Sequence, residues 1–280
     1  MVSVTLDGLE PDQEKLMPYT GSMLMSSFKI WTVAFAMIGA ASVPIAHAEE
    51  SDAKRLLKSM SDYLASQQSI SFEYDTSFEV VSKDHQKVAL ASSGTVTLSR
   101  PDKLRATRHG GFANVEFVFD GKTVSMVGKD ANVFIQADVP GSVDHLVDEL
   151  RDKFYRPLPG ADLLMSDVYA QLMPLVKDVK DLGSGIIRDM ECDHLAFRTQ
   201  EFDWQIWIAQ GDRPYPCRYV ITTTQVEGWP QYTLDIRNWK TGSDVAADDF
   251  KFVAPAGAQK LEKGDVLVLD VDELPSSFTK

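Results

Sequence analysis

Apolar positions change period several times along the chain. Between residues 51 and 67, Ala53, Leu56, Leu57, Met60, Tyr63 and Leu64 recur at helical spacing. That single stripe predicts an amphipathic helix, with Ser51 as its cap and Asp52 in its first turn. Next, Ile70, Phe72, Tyr74, Phe78 and Val80 alternate with polar residues, the period of a half-buried strand. A polar turn at 83–87 leads to a second strand over 88–99. Arg100-Pro101-Asp102 interrupts the ladder, because proline has no N–H to donate, and 104–108 resumes it. Val115, Phe117 and Phe119, a turn at Asp120-Gly121, and returns over 124–127 and 133–136 predict a hairpin series. The period then becomes helical over 142–155, through Val143, Leu146, Val147, Leu150 and Phe154. After the break Pro157-Leu158-Pro159-Gly160 a second helix spans 161–173 and ends near Pro174. Strands return after Gly183-Ser184-Gly185, as a meander over 193–198, 204–209, 217–224 and 232–239. Phe250-Lys251-Phe252 reads as a last short strand. The acidic, apolar run 265–270 reads as an edge strand or a frayed tail.

Long runs of strands without intervening helices argue for antiparallel pairing, since parallel strands need crossovers. The expected fold is α+β: a strongly curved antiparallel sheet, a half-barrel, with helices covering its concave face. So few helices over so wide a sheet predict a cavity lined by one face of the strands. Phe72, Tyr74, Phe117, Phe119, Phe197, Ile206 and Ile221 are the candidate lining. A filled core fits the same alternation, and the parity between strands leaves open which face they occupy.

Charge narrows the partners. The 280 residues carry 41 acidic and 28 basic side chains, a net −13 that excludes a phosphate-backbone ligand, which requires a basic face. The first 48 residues read as an address. Lys29 precedes an apolar stretch over 30–41, and Ala46-His47-Ala48 is a small-x-small cleavage site followed by Glu49-Glu50. Spanning a bilayer takes about 20 apolar residues, more than this run supplies, so residues 25–48 are expected to be a cleaved signal peptide. Residues 1–24 are polar and read as an over-extended start, with Met23 or Met25 the true one. Residues 49–280 are expected to form one domain with a helical lid insert at about 141–174. No Cys follows the cleavage site, so no lipid attachment and no stable membrane anchor is expected. Export makes a Cys192–Cys217 disulfide the expected state, the alternative being two buried thiols. Two distant thiols are too few for a metal site.

No catalytic constellation emerges. His85 and His109 lie in polar or glycine-rich turns, and His145 lacks the second histidine of a zinc-hydrolase helix. Cys192-Asp193-His194 is poorly arranged for proton exchange between neighbours. Gly183-Ser184-Gly185 is not a nucleophile elbow. Asp244, Asp248 and Asp249 read as a solvated surface, and Trp204, Trp207, Trp229 and Trp239 as sheet packing before sugar or base stacking. The expectation is a non-enzymatic protein with no cofactor, no metal and no catalytic residue.

Gly94-x-Val96-x-Leu98-x-Arg100-Pro101-x-x-Leu104, Phe119-Asp120-Gly121-Lys122-Thr123-Val124, and 249–258 with Phe250, Phe252, Pro255 and Gly257 follow one another in that order. Together the three stretches resemble the LolA/LolB-type outer-membrane lipoprotein carrier superfamily. Trp204-Gln205-Ile206-Trp207 and Pro216-Cys217-Arg218-Tyr219 look more like an uncharacterised family of predicted periplasmic proteins within it. The resemblance implies a periplasmic half-barrel whose cavity holds acyl chains, with Arg100 matching an arginine that hydrogen-bonds lid backbone and keeps the cavity closed. An ordinary surface cation is the other reading of Arg100. The expected function is binding or carriage of a hydrophobic ligand, a lipid or lipoprotein acyl chain. The alternatives are an envelope protein–protein interaction or sensor module with a filled cradle, and an unrecognised hydrolase. The lid insert, the cysteine pair and the extension past Ala258 depart from a minimal carrier.

Overall fold

The computed structural model describes residues 45–82, 84–111, 114–152 and 159–262, with side chains from Glu50 onward. The expected leader up to residue 44, residues 153–155 of the helix predicted over 142–155, the first half of the break after it, and the run 265–270 lie outside the described residues. Helix α1 (Ile45–Ser66) begins inside the expected leader and carries the predicted stripe: Ala53, Leu57, Met60 and Leu64 are all fully buried. Six strands follow, β1 (Ser69–Val81), β2 (Lys87–Ser99), β3 (Lys103–Gly110), β4 (Asn114–Phe119), β5 (Thr123–Gly128) and β6 (Val133–Asp138). After α2 (Val143–Asp152), a 3-10 turn (Ala161–Leu164) and α3 (Val168–Leu172), a second meander runs through β7 (Asp178–Ile187), β8 (Met190–Arg198), β9 (Phe202–Ala209), β10 (Pro216–Thr223) and β11 (Gln231–Thr241). A two-residue strand, β12 (Gln259–Lys260), comes last.

All twelve strands form one curved, open sheet, ordered β12-β6-β5-β4-β3-β2-β1-β11-β10-β9-β8-β7. Pairing is antiparallel except between β12 and β6. The two meanders share β1, which pairs with β2 from Ser69↔Ser99 to Val81↔Lys87 and with β11 from Ile70↔Thr241 to Phe78↔Tyr232. This order explains the lid. β6 and β7 lie near opposite edges of the sheet, so the segment joining them must traverse a whole face. It does so over the inner face, where Val143, Leu146, Val168 and Leu172 enter the same core as Leu98, Phe119, Leu195 and Ile206.

The segment after β11 returns over the outer face. Arg105, whose neighbours Leu104 and Ala106 face the core, grips Asp248 through Nε at 2.6 Å and Nη2 at 3.2 Å, and Glu116 through Nη1 at 2.5 Å. Desolvation works against the Asp248 carboxylate, yet the hydrogen bonds from Arg105 and from the Phe250 N–H hold it below its ordinary range. Phe252 packs on Phe134, ring centroids 5.3 Å apart, so the predicted strand at Phe250-Lys251-Phe252 is a strap with no ladder. Asp248 therefore belongs to a clamp, not to a solvated cluster.

Two of the sequence motifs have plain local causes. A side chain on Gly94 would meet the Thr107 carbonyl at 1.9 Å and the Tyr74 ring at 2.6 Å, so only glycine lets Tyr74 lie across β2 and donate to Thr107 O at 2.9 Å. At the β4–β5 turn, Asp120 Oδ1 accepts from the N–H groups of Lys122 (2.9 Å) and Thr123 (2.8 Å) while Gly121 adopts φ 86°.

Candidate functional site

The lid is pinned to the rest of the fold at named points. Ser142 caps α2, its Oγ accepting from His145 N at 3.2 Å, and the Val143 N–H donates to Pro101 O at 2.8 Å. Asp144 accepts from both the N–H (2.9 Å) and the hydroxyl of Ser166. Asp167 caps α3, accepting from Ala170 N at 3.0 Å, and buried Ser61 of α1 accepts from Tyr169 N at 3.0 Å. Arg100 reaches up from the β2–β3 turn, Nη2 donating to Met165 O at 3.1 Å, while its buried Nε has no partner. Burial lowers the guanidinium pKa, with Asp144 pulling the other way.

Beneath this lid the interior is mostly filled. Leu57, Met60 and Leu64 of α1 share one continuous core with Leu98, Phe119, Leu195, Trp204 and Ile206. Among the described residues there is therefore no wide hollow of the kind expected from the helix count, because α1 and the lid plug that space. A cavity of about 240 Å³ lies at one flank, bounded by α2, the 3-10 turn, α3, β9 and β10. Its apolar lining is Val147, Leu150, Pro159, Ala161, Leu172, Phe202 and Ile221; Arg151, Asp162 and Tyr219 supply its polar groups.

All seven residues named from the sequence as lining belong to or pack on the inner-face core. Phe119 and Ile206 are fully buried in it, Phe72 stacks on Trp239 at 5.4 Å, and Phe197 stacks on Trp204 at 3.8 Å. Tyr74 and Phe117 are half-buried against it. Only Ile221 borders the cavity. Tyr219, two residues away on the same face of β10, was missed, though period-two alternation points to it. Asp162 and Leu172 carry no such signal, since they reach the cavity only through the path of the lid.

The cavity's polar groups are unequally satisfied. Arg151 bonds Asp148 through Nη2 at 2.5 Å and Asp152 through Nε at 3.2 Å. Burial pushes the Asp162 carboxyl up, and the Arg151 charge offsets part of that. Burial, with a contribution from Asp162, also pushes the Tyr219 phenol up. Tyr219 is 1% exposed. Its neighbour Trp204, edge-on at 5.9 Å, buries its indole N–H without a partner.

Elsewhere, Cys192 and Cys217 are buried free thiols, so the expected bridge is not formed in the structure. They do not sit on neighbouring strands: β8 and β10 flank β9, and the two sulfurs meet 3.0 Å apart, beside Ala209. Burial pushes both thiols up, which suits neither a nucleophile nor a metal ligand. His194 stacks on Trp207 at 3.9 Å and bonds Gln205 Oε1 at 2.9 Å. Among the described residues no group of His, Cys, Asp and Glu could hold a metal, and no helix is long and apolar enough to cross a membrane.

A family model described as predicted periplasmic protein (DUF2092) matches residues 53–262. No curated protein matches the chain. Among solved structures, an uncharacterized conserved protein from Thermus thermophilus is 14% identical with a TM-score of 0.41, over 75% of this chain and 98% of that one. The MucA/MucB complex of Pseudomonas aeruginosa gives 16% and 0.42, over 72% and 62%. A LolA superfamily protein from Nitrosomonas europaea, NE2245, gives 10% and 0.32, over 71% and 99%. At these values the likeness is one of general architecture.

Proposed function

The chain belongs to this periplasmic family, and on that premise we propose that it binds a short apolar segment, such as one acyl chain of a lipid or lipoprotein, in the flank cavity without chemically changing it. The observation that carries the reading is the cavity itself, about 240 Å³ walled chiefly by aliphatic and aromatic side chains under a hydrogen-bonded lid. It is larger than an engineered cavity of about 150 Å³ that takes up benzene, and smaller than the roughly 300–1,000 Å³ of pockets for drug-sized ligands. One short chain fits that range; a bundle of acyl chains does not. At about 0.8 kcal/mol per buried methylene, a six-carbon segment gains about 5 kcal/mol. That corresponds to sub-millimolar binding before any head-group contact.

The neutral dye N-phenyl-1-naphthylamine is expected to brighten on binding, and Ala161→Phe, which fills the cavity, to weaken it more than about tenfold. Leu172→Phe, a smaller intrusion, serves if Ala161→Phe misfolds. Equal dye affinity in a folded cavity-filling variant removes the proposal, and a native protein without dye binding or extractable lipid favours the interaction module instead.

Arg100 is proposed as the latch of the lid. Arg100→Leu deletes a charge-assisted bond of about 1.5–3 kcal/mol, so ligand dissociation is expected to accelerate at least roughly tenfold. The melting temperature should move little, because removing a half-buried cation with an unpartnered Nε returns its desolvation cost. Stopped-flow dye release checks this, and an unchanged off-rate eliminates the latch.

A further inference from the structure

We infer that the flank cavity selects an amphiphile with an uncharged hydroxyl head, whose O–H donates to the Asp162 carboxylate and whose oxygen accepts from the Tyr219 phenol. The inference rests on the apolar-segment reading of the same cavity and adds the class of its ligand. Three polar side chains line the cavity, and they differ in what they have left to offer. Arg151 is committed to Asp148 and Asp152. Asp162 stands on the 3-10 turn of the lid, and among the described residues its carboxyl accepts only from its own backbone N–H. Tyr219 stands on β10 in the sheet below, and its hydroxyl makes no hydrogen bond among the described residues although the side chain is 1% exposed. One acceptor and one donor therefore border the same hollow from lid and sheet, each without a side-chain partner. Asp162 is half-buried and Tyr219 almost wholly buried, so polar groups facing an apolar hollow in this way take their partner from what enters it, water or a ligand.

A hydroxyl is the smallest head that does both jobs, donating one hydrogen bond and accepting another. A carboxylate head brings no donor for Asp162 and sets two negative charges together in an apolar wall. An ammonium head satisfies Asp162, but it has no lone pair to accept from the Tyr219 O–H and leaves that donor without a partner. The order expected on these grounds is alcohol, then amine, then carboxylate. The tail lies along Val147, Leu150, Leu172, Phe202 and Ile221.

Displacement of bound N-phenyl-1-naphthylamine by 1-octanol, octylamine and octanoate tests this with tails of equal length. Octanol is expected to compete at least about tenfold better than octanoate, the scale of one charge-assisted hydrogen bond. Asp162→Asn, which removes the charge and keeps a carbonyl acceptor, should narrow that ratio to within about threefold. Tyr219→Phe should weaken octanol relative to the dye. Octanoate or octylamine binding as well as octanol, or an unchanged octanol-to-octanoate ratio in Asp162→Asn, overturns the head-group assignment while dye binding leaves the cavity reading intact. Absence of dye binding to the native protein counts against the cavity reading itself, a separate failure.

Discussion

Replacing Trp204 with alanine is expected to lower the unfolding free energy by about 3–5 kcal/mol, the range for deleting a large buried aromatic. Trp204 is 1% exposed, lies nearly parallel to Phe197 of β8, and meets Tyr219 of β10 edge-on. It sits between two hydrogen-bonded partner strands, paired with Phe197 on one side and Ile221 on the other, so the ladder prevents the backbone from collapsing into the void. Against a total of about 5–15 kcal/mol for an ordinary domain, the loss is severe. Trp204→Phe separates the ring stack from the indole N–H. It keeps an aromatic face against Phe197 and discards a buried donor without a partner, whose burial costs about 1–3 kcal/mol. That variant is expected within about 1 kcal/mol of the parent. Urea unfolding of both checks the pair. A cost below about 1 kcal/mol for Trp204→Ala contradicts a close-packed interior, and equal costs for the two variants contradict an orphaned N–H.

The same packing explains why the cavity lies where it does. Helix α1 offers four fully buried side chains in register with the strands below and leaves no room beneath it. The other end of the lid is a 3-10 turn and a five-residue helix, with Ala161 and Leu172 turned inward. Segments of about one turn present no continuous ridge to fill the groove between β9 and β10, so the hollow persists there. The 3-10 turn that borders it runs directly into Met165 and Ser166, which Arg100 and Asp144 hold, so ligand access is coupled to the polar pins of the lid.

Period and parity made the half-buried strands legible. β2 alternates buried with exposed positions, and the buried positions of β1 and of the middle of β9 fall two or four apart, because one face is core and the other turns away from it. β7 escaped notice for the complementary reason. Asp178–Ile187 is an edge strand whose even-numbered face is exposed throughout and whose other face is half-buried for most of its length, with a register shift between Asp181 and Ser184 and Gly183 at φ 79°. Only Val179 and Ile187 of that face are apolar, so the sequence carries too little alternation to announce a strand. The outer strap reversed the error: Phe250 and Phe252 alternate like a strand, but they serve to cover the sheet, and Phe250 takes φ 51°. A single helix over 161–173 was likewise too simple, since Asp167 caps a new start at Val168. For the cavity, strand parity reaches Ile221 and by extension Tyr219. Asp162 stays invisible because the fold of the lid, not a local period, carries it over β10.

Protein purified from the periplasm is expected to carry a Cys192–Cys217 bridge, and reduction is expected to cost it about 3 kcal/mol of stability. The thiols are 25 residues apart in sequence, a loop whose closure entropy corresponds to about 3.5 kcal/mol before any strain. The fold has already brought the sulfurs to 3.0 Å. It does so across β9, where Ala209 pairs with Cys192 and a register shift between Pro216 and Arg218 accommodates Cys217 as an extra residue. Oxidation passes through exchange: one thiolate attacks the disulfide of an oxidoreductase, the second displaces it, and the two electrons leave with the oxidant as two thiols. Burial raises both thiols, so exchange on the folded protein is slow and the bridge is expected to form before β8, β9 and β10 close around it. Thiol labelling of unreduced, denatured protein should therefore find no free cysteine after periplasmic production, and two after cytoplasmic production. With about 2–4 °C per kcal/mol for a chain of this size, reduction should lower the melting temperature by roughly 6–12 °C. The Cys192→Ala, Cys217→Ala double variant should lose that dependence on reductant. Two reactive thiols in the periplasmic protein, with a melting temperature indifferent to reductant, show instead that the pair serves as packing alone.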